Sequence, residues 1–124
     1  MIKVKHLLEA VEPDDGKRLW VEPIGLTRDL CEWCAVNRVL PHLGPPKALW
    51  EWFVSHPDGY DYFRAIYHES LAKSEHRKAL QQLSCLSRYE NITLLHQSDD
   101  PNRNSAAALH EFLNEIETYC PPEA

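Results

Sequence analysis

The sequence predicts an α/β domain with a small, largely parallel sheet of about three strands and about four helices. The stretch from Ile92 to Leu113 has the pattern of a strand, a polar turn and an amphipathic helix. The composition, 44% hydrophobic and 26% charged, is typical of a folded soluble protein. The length of 124 residues fits a single domain, residues 1–124, which is large enough to bury a core without disulfides or a structural metal ion.

Three segments are predicted as strands, at about residues 2–8, 18–22 and 92–96. In the first, apolar side chains recur at nearly every second residue from Ile2 to Leu8. The second contains the short run Leu19–Val21, which suits a pleated surface and is closed by Pro23. The third is the apolar run Ile92–Leu95. The order of these strands across the sheet does not follow from the sequence.

The helices are predicted from caps and from apolar spacing. Thr27 is expected to cap a short helix that reaches Trp33. Pro46 suits the first position of a second helix, because the N–H that proline lacks would be unpaired there. Apolar residues at spacings of three and four predict three further helices, from Tyr60 to Leu71, from a Ser74 cap to Leu86, and from Leu109 to Cys120.

Charge and hydropathy exclude several classes of partner. The formal net charge is −6 and no basic run exceeds Lys17-Arg18, so a nucleic acid is not expected. No apolar run approaches the ~18 residues of a membrane span, and Met1 to His6 has no apolar signal-peptide core. We therefore expect a cytoplasmic protein whose four cysteines stay reduced.

Residues along nearly the whole chain form an ordered series. They are Asp15, Gly16, Arg18, Val21, Trp33, Leu49, Phe53, His56, Pro57, Phe63, Tyr67, Leu71, the run Ile92–Leu95, Asp99, Asp100, Asn104, Ala106 and Leu109. In this order they resemble the YeaO-like proteins, the short branch of domain-of-unknown-function family 488. The resemblance implies a compact bacterial or archaeal α/β domain, and it implies no established substrate.

The segment after the second strand departs from that family. The family typically has Val-Asp-Arg-Leu-Trp-Pro-Arg-Gly there, whereas residues 21–25 of this chain are Val, Glu, Pro, Ile and Gly. Both arginines are absent, Glu22 retains an acid, and Ala35 or Cys34 stands where the family usually has a lysine. If those cations bind an anion in relatives, this chain has lost much of that capacity, because the planar guanidinium has no substitute here.

The best candidate site lies at the carboxyl ends of the strands, where ligands bind in open α/β sheets. We expect an anionic small molecule there, with Arg18 neutralising its charge and Glu22 or His96 moving a proton if a reaction occurs. Asn104 would orient the ligand at the start of the last helix, where free N–H groups accept anions. Further polar candidates for this site are Asp15, Asp99, Asp100, Arg103 and Ser105. No cofactor or reaction type follows from the sequence.

Simpler explanations of the same residues stay open. Asp99 or Asp100 can start a turn, Asn104 can cap the last helix, and Arg18 can pair with an acid to hold loops together. His96 is then a half-buried histidine that is hydrogen-bonded to backbone. These explanations suit a second hypothesis, a non-catalytic protein-interaction module that retained the scaffold and lost the pocket.

Two cysteines give a third hypothesis. Cys31 and Cys34 form a CxxC spacing, which permits a disulfide or half of a zinc site. No second CxxC or CxxH is present, so zinc would need a distant ligand such as Cys85, Cys120 or His42. Unactivated cysteines behave as small buried hydrophobic residues, which is the simpler expectation beside a thiol or zinc protein.

Overall fold

A four-stranded parallel sheet forms the centre of the computed structural model, which describes residues 1–73 and 75–116. The strands are β1 (Ile2–His6), β2 (Lys17–Trp20), β3 (Arg38–Val39) and β4 (Ile92–His96). Their order across the sheet is β1-β4-β2-β3, and each pair of neighbours runs parallel. β4 is therefore an inner strand, and all of its residues are buried.

The predicted α/β class is confirmed, with one strand more than expected. The additional strand, β3, pairs Arg38 and Val39 with Leu19 and Trp20 of β2. Two residues are too few to show the alternation of a strand, so the sequence pattern could not reveal it. β1 and β2 end two residues earlier than predicted, whereas β4 has the predicted bounds.

The described part of the chain contains five α-helices, where about four helices are predicted: α1 (Arg28–Trp33), α2 (Lys47–Ser55), α3 (Tyr60–Ala72), α4 (Arg77–Leu86) and α5 (Ser105–Glu115). Thr27 caps α1 as predicted, because its Oγ1 accepts from the Leu30 N–H at 3.2 Å. Pro46 precedes the first helical residue of α2 rather than occupying it. The predicted Ser74 cap and Cys120 lie outside the described residues. None of the helices in residues 1–73 and 75–116 has the length and apolar character to span a membrane.

One face of the sheet carries the main apolar core. Leu19 and Leu94 lie in it together with Phe63 and Tyr67 of α3. α5 packs against β1 and β4, and α3 and α4 pack against α5. The Tyr67 hydroxyl donates to the carbonyl of Leu43 at 2.7 Å, so its polar atom is satisfied inside the core.

The opposite face is smaller and mixes apolar with charged side chains. Because side chains alternate along a strand, Trp20 and Leu95 lie opposite Leu19 and Leu94. They pack with Leu7 and Cys34 in a second apolar cluster. Arg18 precedes Trp20 by two residues and therefore lies on this second face.

Candidate ligand-binding site

A cavity of about 450 Å³ lies where β2 and β4 end, between α2 and the start of α5. This is the edge of the sheet at which open α/β proteins bind ligands. The volume falls in the range of small-molecule sites. The lining consists of Glu22, the apolar group Trp50, Phe53, Val54 and Pro57, and residues 97–100 and 103–105.

Glu22 is the buried acid of the cavity, with 3% of its surface exposed. Trp50 Nε1 donates to its Oε2 at 2.7 Å, and the Ser105 side chain also favours the charged form of the carboxyl group. Oε1 is buried and has no hydrogen-bond partner among the described residues. A buried oxygen without a donor is costly, so this atom is the one most in need of a ligand contact.

Burial controls the protonation of Glu22. Removal from water disfavours the charged carboxylate, and this effect outweighs the hydrogen bonds from Ser105 and Trp50, so the pKa of Glu22 is raised above its ordinary 4.5. A carboxyl with a perturbed pKa in a cleft is a candidate functional group.

The chemistry of the cavity walls changes with depth. Trp50 and Phe53 are partly buried and form an apolar wall on α2. Asp99, Asp100 and Arg103 are exposed and lie at the mouth. Together with Glu22, the lining therefore holds three carboxyl groups and one guanidinium group. The single buried charge among them is acidic.

Hydrogen bonds within the loop after β4 account for most of its polar groups. Asp100 Oδ1 accepts from the Asn102 N–H at 2.9 Å, and Ser98 Oγ accepts from the Asp100 N–H at 3.1 Å. Asn104 caps α5 because its Oδ1 accepts from the Ala107 N–H at 2.7 Å. Its Nδ2 donates to the Asp100 carbonyl at 2.9 Å. Asn104 lines the cavity, but the fold itself uses its amide, as the capping explanation expects.

Arg18 and Asp15 do not line the cavity. Arg18 is 1% exposed, and its Nη1 donates to Asp15 Oδ2 at 2.8 Å. Its Nε and Nη2 donate to the Cys34 carbonyl at 3.2 and 3.1 Å. Lys5 and Lys3 donate to the same Asp15 carboxylate at 3.0 and 3.1 Å. The predicted convergence of Arg18 with the loop after β4 is therefore not found, and Arg18 pairs with an acid instead. We call Lys3, Lys5, Asp15 and Arg18 the charged cluster.

Asp15 is fully supplied with donors inside this cluster. Burial alone would raise its pKa, but hydrogen bonds from Lys5 and Lys3, the Glu12 N–H and Arg18 outweigh burial. They hold the pKa of Asp15 well below its ordinary 3.8. Asp15 is therefore ionised and paired at neutral pH.

His96 is buried at the end of β4 and does not line the cavity. Its Nδ1 accepts from the Ser98 N–H at 3.0 Å, and its ring meets His6 edge-on at 5.6 Å between centroids. Burial, with a smaller contribution from His6, lowers the pKa of His96 to about 4, so the ring is neutral at pH 7. A proton-transfer role for Glu22 or His96 stays a prediction.

Of the described cysteines, Cys31 and Cys34 are free thiols and Cys85 is not. Cys31 is a partly exposed free thiol and Cys34 a buried one. Over residues 1–73 and 75–116, no group of three or more His, Cys, Asp or Glu side chains is arranged to hold a metal ion. Cys85 is disulfide-bonded, so the expectation that all four cysteines stay reduced is wrong.

The apolar wall of the cavity is the part that sequence reasoning missed. Trp50 is expected in the core, because aromatic residues at helical spacing usually bury. Its indole N–H could have indicated the contact with Glu22, because a buried indole N–H needs a hydrogen-bond acceptor and a nearby acid can provide one. Phe53, Val54 and Pro57 give no comparable signal in the sequence.

The chain is similar to uncharacterised proteins of Mycobacterium bovis and of two strains of Mycobacterium tuberculosis, each 30% identical over 119 residues. These alignments cover 91% of this chain and 93% of each relative. No solved structure matches the chain significantly. A family model described as "Inactive DUF488-N3 subclade" matches residues 1–119, which confirms the resemblance to family 488. The chain therefore belongs to the inactive DUF488-N3 subclade.

Proposed function

We propose that this protein is a non-catalytic small-molecule-binding domain whose ligand occupies the cavity beyond β2 and β4. The Glu22 carboxyl is the observation that carries the proposal. It is 3% exposed, and its Oε1 has no hydrogen-bond donor in the part of the chain that the structure describes. A ligand that donates a hydrogen bond to Oε1 would offset the cost of burying that oxygen.

Two observations support binding rather than catalysis. The family to which the chain belongs is described as inactive. His96, one of the two residues expected to move a proton, lies outside the cavity lining, and its Nδ1 accepts a backbone N–H. A general base must lie within hydrogen-bond reach of the proton that it abstracts.

Exposed aromatic side chains favour a protein-interaction module. Trp33, at the end of α1, is 85% exposed, and Tyr62 and Tyr89 are 59% and 51% exposed. Exposed apolar side chains are common on monomeric proteins, and they do not by themselves make an apolar patch. We therefore favour the cavity as the functional site over this surface.

A fragment screen monitored by ¹H–¹⁵N NMR tests the proposed function. The reporter is the indole N–H signal of Trp50, which donates to Glu22 inside the cavity. Trp50→Phe assigns this signal by removing it. Trp33→Phe is the matched control, because it removes an exposed indole outside the cavity lining.

We expect a subset of fragments to shift the Trp50 indole together with the backbone amides of residues 97–100 and 103–105. The same fragments should shift those amides equally in the Trp33→Phe variant. If a diverse library moves no signal of the cavity lining, or moves only signals around Trp33, the domain is not a small-molecule binder of this kind.

A further inference from the structure

The unpartnered oxygen of Glu22 also indicates the class of ligand, an inference that rests on the proposed function. An ionised carboxylate can only accept hydrogen bonds. Trp50 already donates to Oε2 of the Glu22 carboxyl, and Oε1 has no donor among the described residues. The missing element is therefore a donor, and a carboxylate pairs best with a charged one.

The position of Glu22 also disfavours an anion in the cavity. The N-terminus of a helix attracts negative charge. At α5 the Asn104 side chain already accepts from the Ala107 N–H, and the Glu22 carboxyl lines the cavity together with Ser105, the first residue of the helix. A second anion would meet the Glu22 carboxylate at short range. The guanidinium of Arg18, which could have compensated it, is held by Asp15 in the charged cluster.

The remaining lining suits a cation attached to an apolar group. Asp99 and Asp100 add to the negative charge of the cavity, against Arg103 alone. Trp50 and Phe53 offer aromatic surface, which attracts cations as well as apolar groups. A charged nitrogen at Glu22 would thus be surrounded by groups that favour it.

We propose that the cavity binds an organic cation, a protonated amine that donates an N–H to Glu22 Oε1 while its apolar part lies against Phe53, Val54 and Pro57. The amine is the determinant of specificity, and the apolar part supplies the buried area. Binding of this kind forms no covalent bond.

Three probes of similar shape and different charge test the proposal, namely benzylamine, benzyl alcohol and benzoate. Each is titrated into the protein at pH 7 while the Trp50 indole signal is followed. We expect benzylamine to bind roughly tenfold or more tightly than benzyl alcohol, because a hydrogen bond to a charged group is worth more than a neutral one. Benzoate should bind most weakly of the three.

Glu22→Gln should reduce the affinity for benzylamine to that for benzyl alcohol, a loss of about tenfold or more. Glu51→Gln is the matched control, because Glu51 is exposed on α2, outside the cavity lining, and its removal changes the net charge equally. This control should keep the benzylamine affinity of the wild type. If Glu22→Gln does not fold, the selectivity of the wild type among the three probes decides alone.

Equal binding of benzylamine and benzyl alcohol, tighter binding of benzoate, or an unchanged benzylamine affinity in folded Glu22→Gln would overturn the cation proposal and leave the cavity as a binding site. Failure of all three probes to move the Trp50 indole would also overturn it. If other fragments still moved that signal, the proposed function would stand without the cation proposal. A library in which no fragment moved it would contradict both the proposed function and the cation proposal.

Discussion

Asp15 and Glu22 are both buried carboxyl groups near β2, and they differ in how the fold satisfies them. Asp15 accepts hydrogen bonds from Lys3, Lys5 and Arg18, which lowers its pKa. Glu22 accepts from Trp50 at Oε2, keeps Oε1 without a partner among the described residues, and has a pKa that burial raises. Both carboxylate oxygens of Asp15 therefore accept hydrogen bonds within the charged cluster, whereas Oε1 of Glu22 in the cavity accepts none from the described residues.

This difference separates a structural role from a binding role. Protein groups that stabilise a buried charge do so completely, because any unpaired member of a buried network is expensive. The charged cluster meets that condition, although Arg18 and Asp15 carry the residue types expected of a ligand site. Glu22 does not meet it, and it lines a cavity large enough for a small molecule. The site is thus identified by the missing donor rather than by the number of charges.

The largest expected effect is that of Asp15→Asn. This change removes the counter-charge of the buried Arg18 and leaves Lys5 only its ion pair with the exposed Glu12 among the described residues, so we expect the free energy of unfolding to fall by about 3–5 kcal/mol. Chemical denaturation measures the loss. The control is Asp14→Asn, because the Asp14 side chain is 65% exposed and its one ion pair within the described residues is with Lys3, and its loss should cost at most about 1 kcal/mol. A similar, small cost for both variants would show that the charged cluster does not hold the fold together.

The turn beside the charged cluster gives the next effect. Gly16 has φ +62°, and a Cβ there would lie 1.9 Å from the Asn91 carbonyl oxygen. We expect Gly16→Ala to lower the free energy of unfolding by about 2–3 kcal/mol through strain and displacement. Gly25, on the Glu22 side, has open space around its Cβ position, so Gly25→Ala is the control and should leave stability nearly unchanged. Equal effects of the two changes would contradict the close packing of Gly16 against the Asn91 carbonyl.

Glu22→Gln should have a smaller effect, and of opposite sign. The variant removes a buried charge that lacks a full set of donors, so its free energy of unfolding at pH 7 should equal or exceed that of the wild type by up to about 1 kcal/mol. Urea denaturation of both proteins measures this. A loss comparable with that of Asp15→Asn would mean that the Glu22 carboxylate is a structural ion pair.

The pH dependence of stability should distinguish the two acids as well. Glu22 has a raised pKa in the folded state, so its contribution is most favourable at low pH and is lost as the pH rises from 4.5 through its folded pKa. Asp15 has a lowered pKa, so its contribution is present above 3.8 and is lost as the pH falls below it. The free energy of unfolding of the wild type, relative to that of Glu22→Gln, should therefore fall as the pH rises from acid to neutral.

The smallest effect is expected at the CxxC pair. Cys31 is a partly exposed free thiol, so Cys31→Ser should change the free energy of unfolding by less than about 0.5 kcal/mol. Zinc should not raise the melting temperature of the wild type or of Cys31→Ser. A zinc-dependent increase that Cys31→Ser abolishes would instead restore the hypothesis of a metal protein.

The sequence predicted the elements that have local signals. β4 has the predicted bounds because its apolar run is bordered by polar residues, and Thr27 and Asn104 cap helices as their side chains favour. β3 was not predicted, since its two residues pair only through the tertiary fold.

Half of the candidate site could be predicted, and half could not. Glu22 and the loop after β4 were identified because they follow strands at the same sheet edge. Arg18 was assigned to the site because the sequence does not show which sheet face the loop before β2 covers. The role of Trp50 could not be predicted, because its partner, Glu22, is distant in sequence and the pairing exists only when β2 and α2 are packed.

The most direct test of the account is a ¹³C NMR titration of the side-chain carboxyl carbons, with and without benzylamine. Glu22→Gln identifies the Glu22 signal, and Asp15 serves as the internal reference that titrates well below 3.8. We expect a pKa of Glu22 above 4.5 in the free protein, and a fall in that pKa when benzylamine binds, because a nearby cation favours the charged form. A Glu22 that titrates at or below 4.5 and does not respond to benzylamine would show that it is not the acid that binds the ligand.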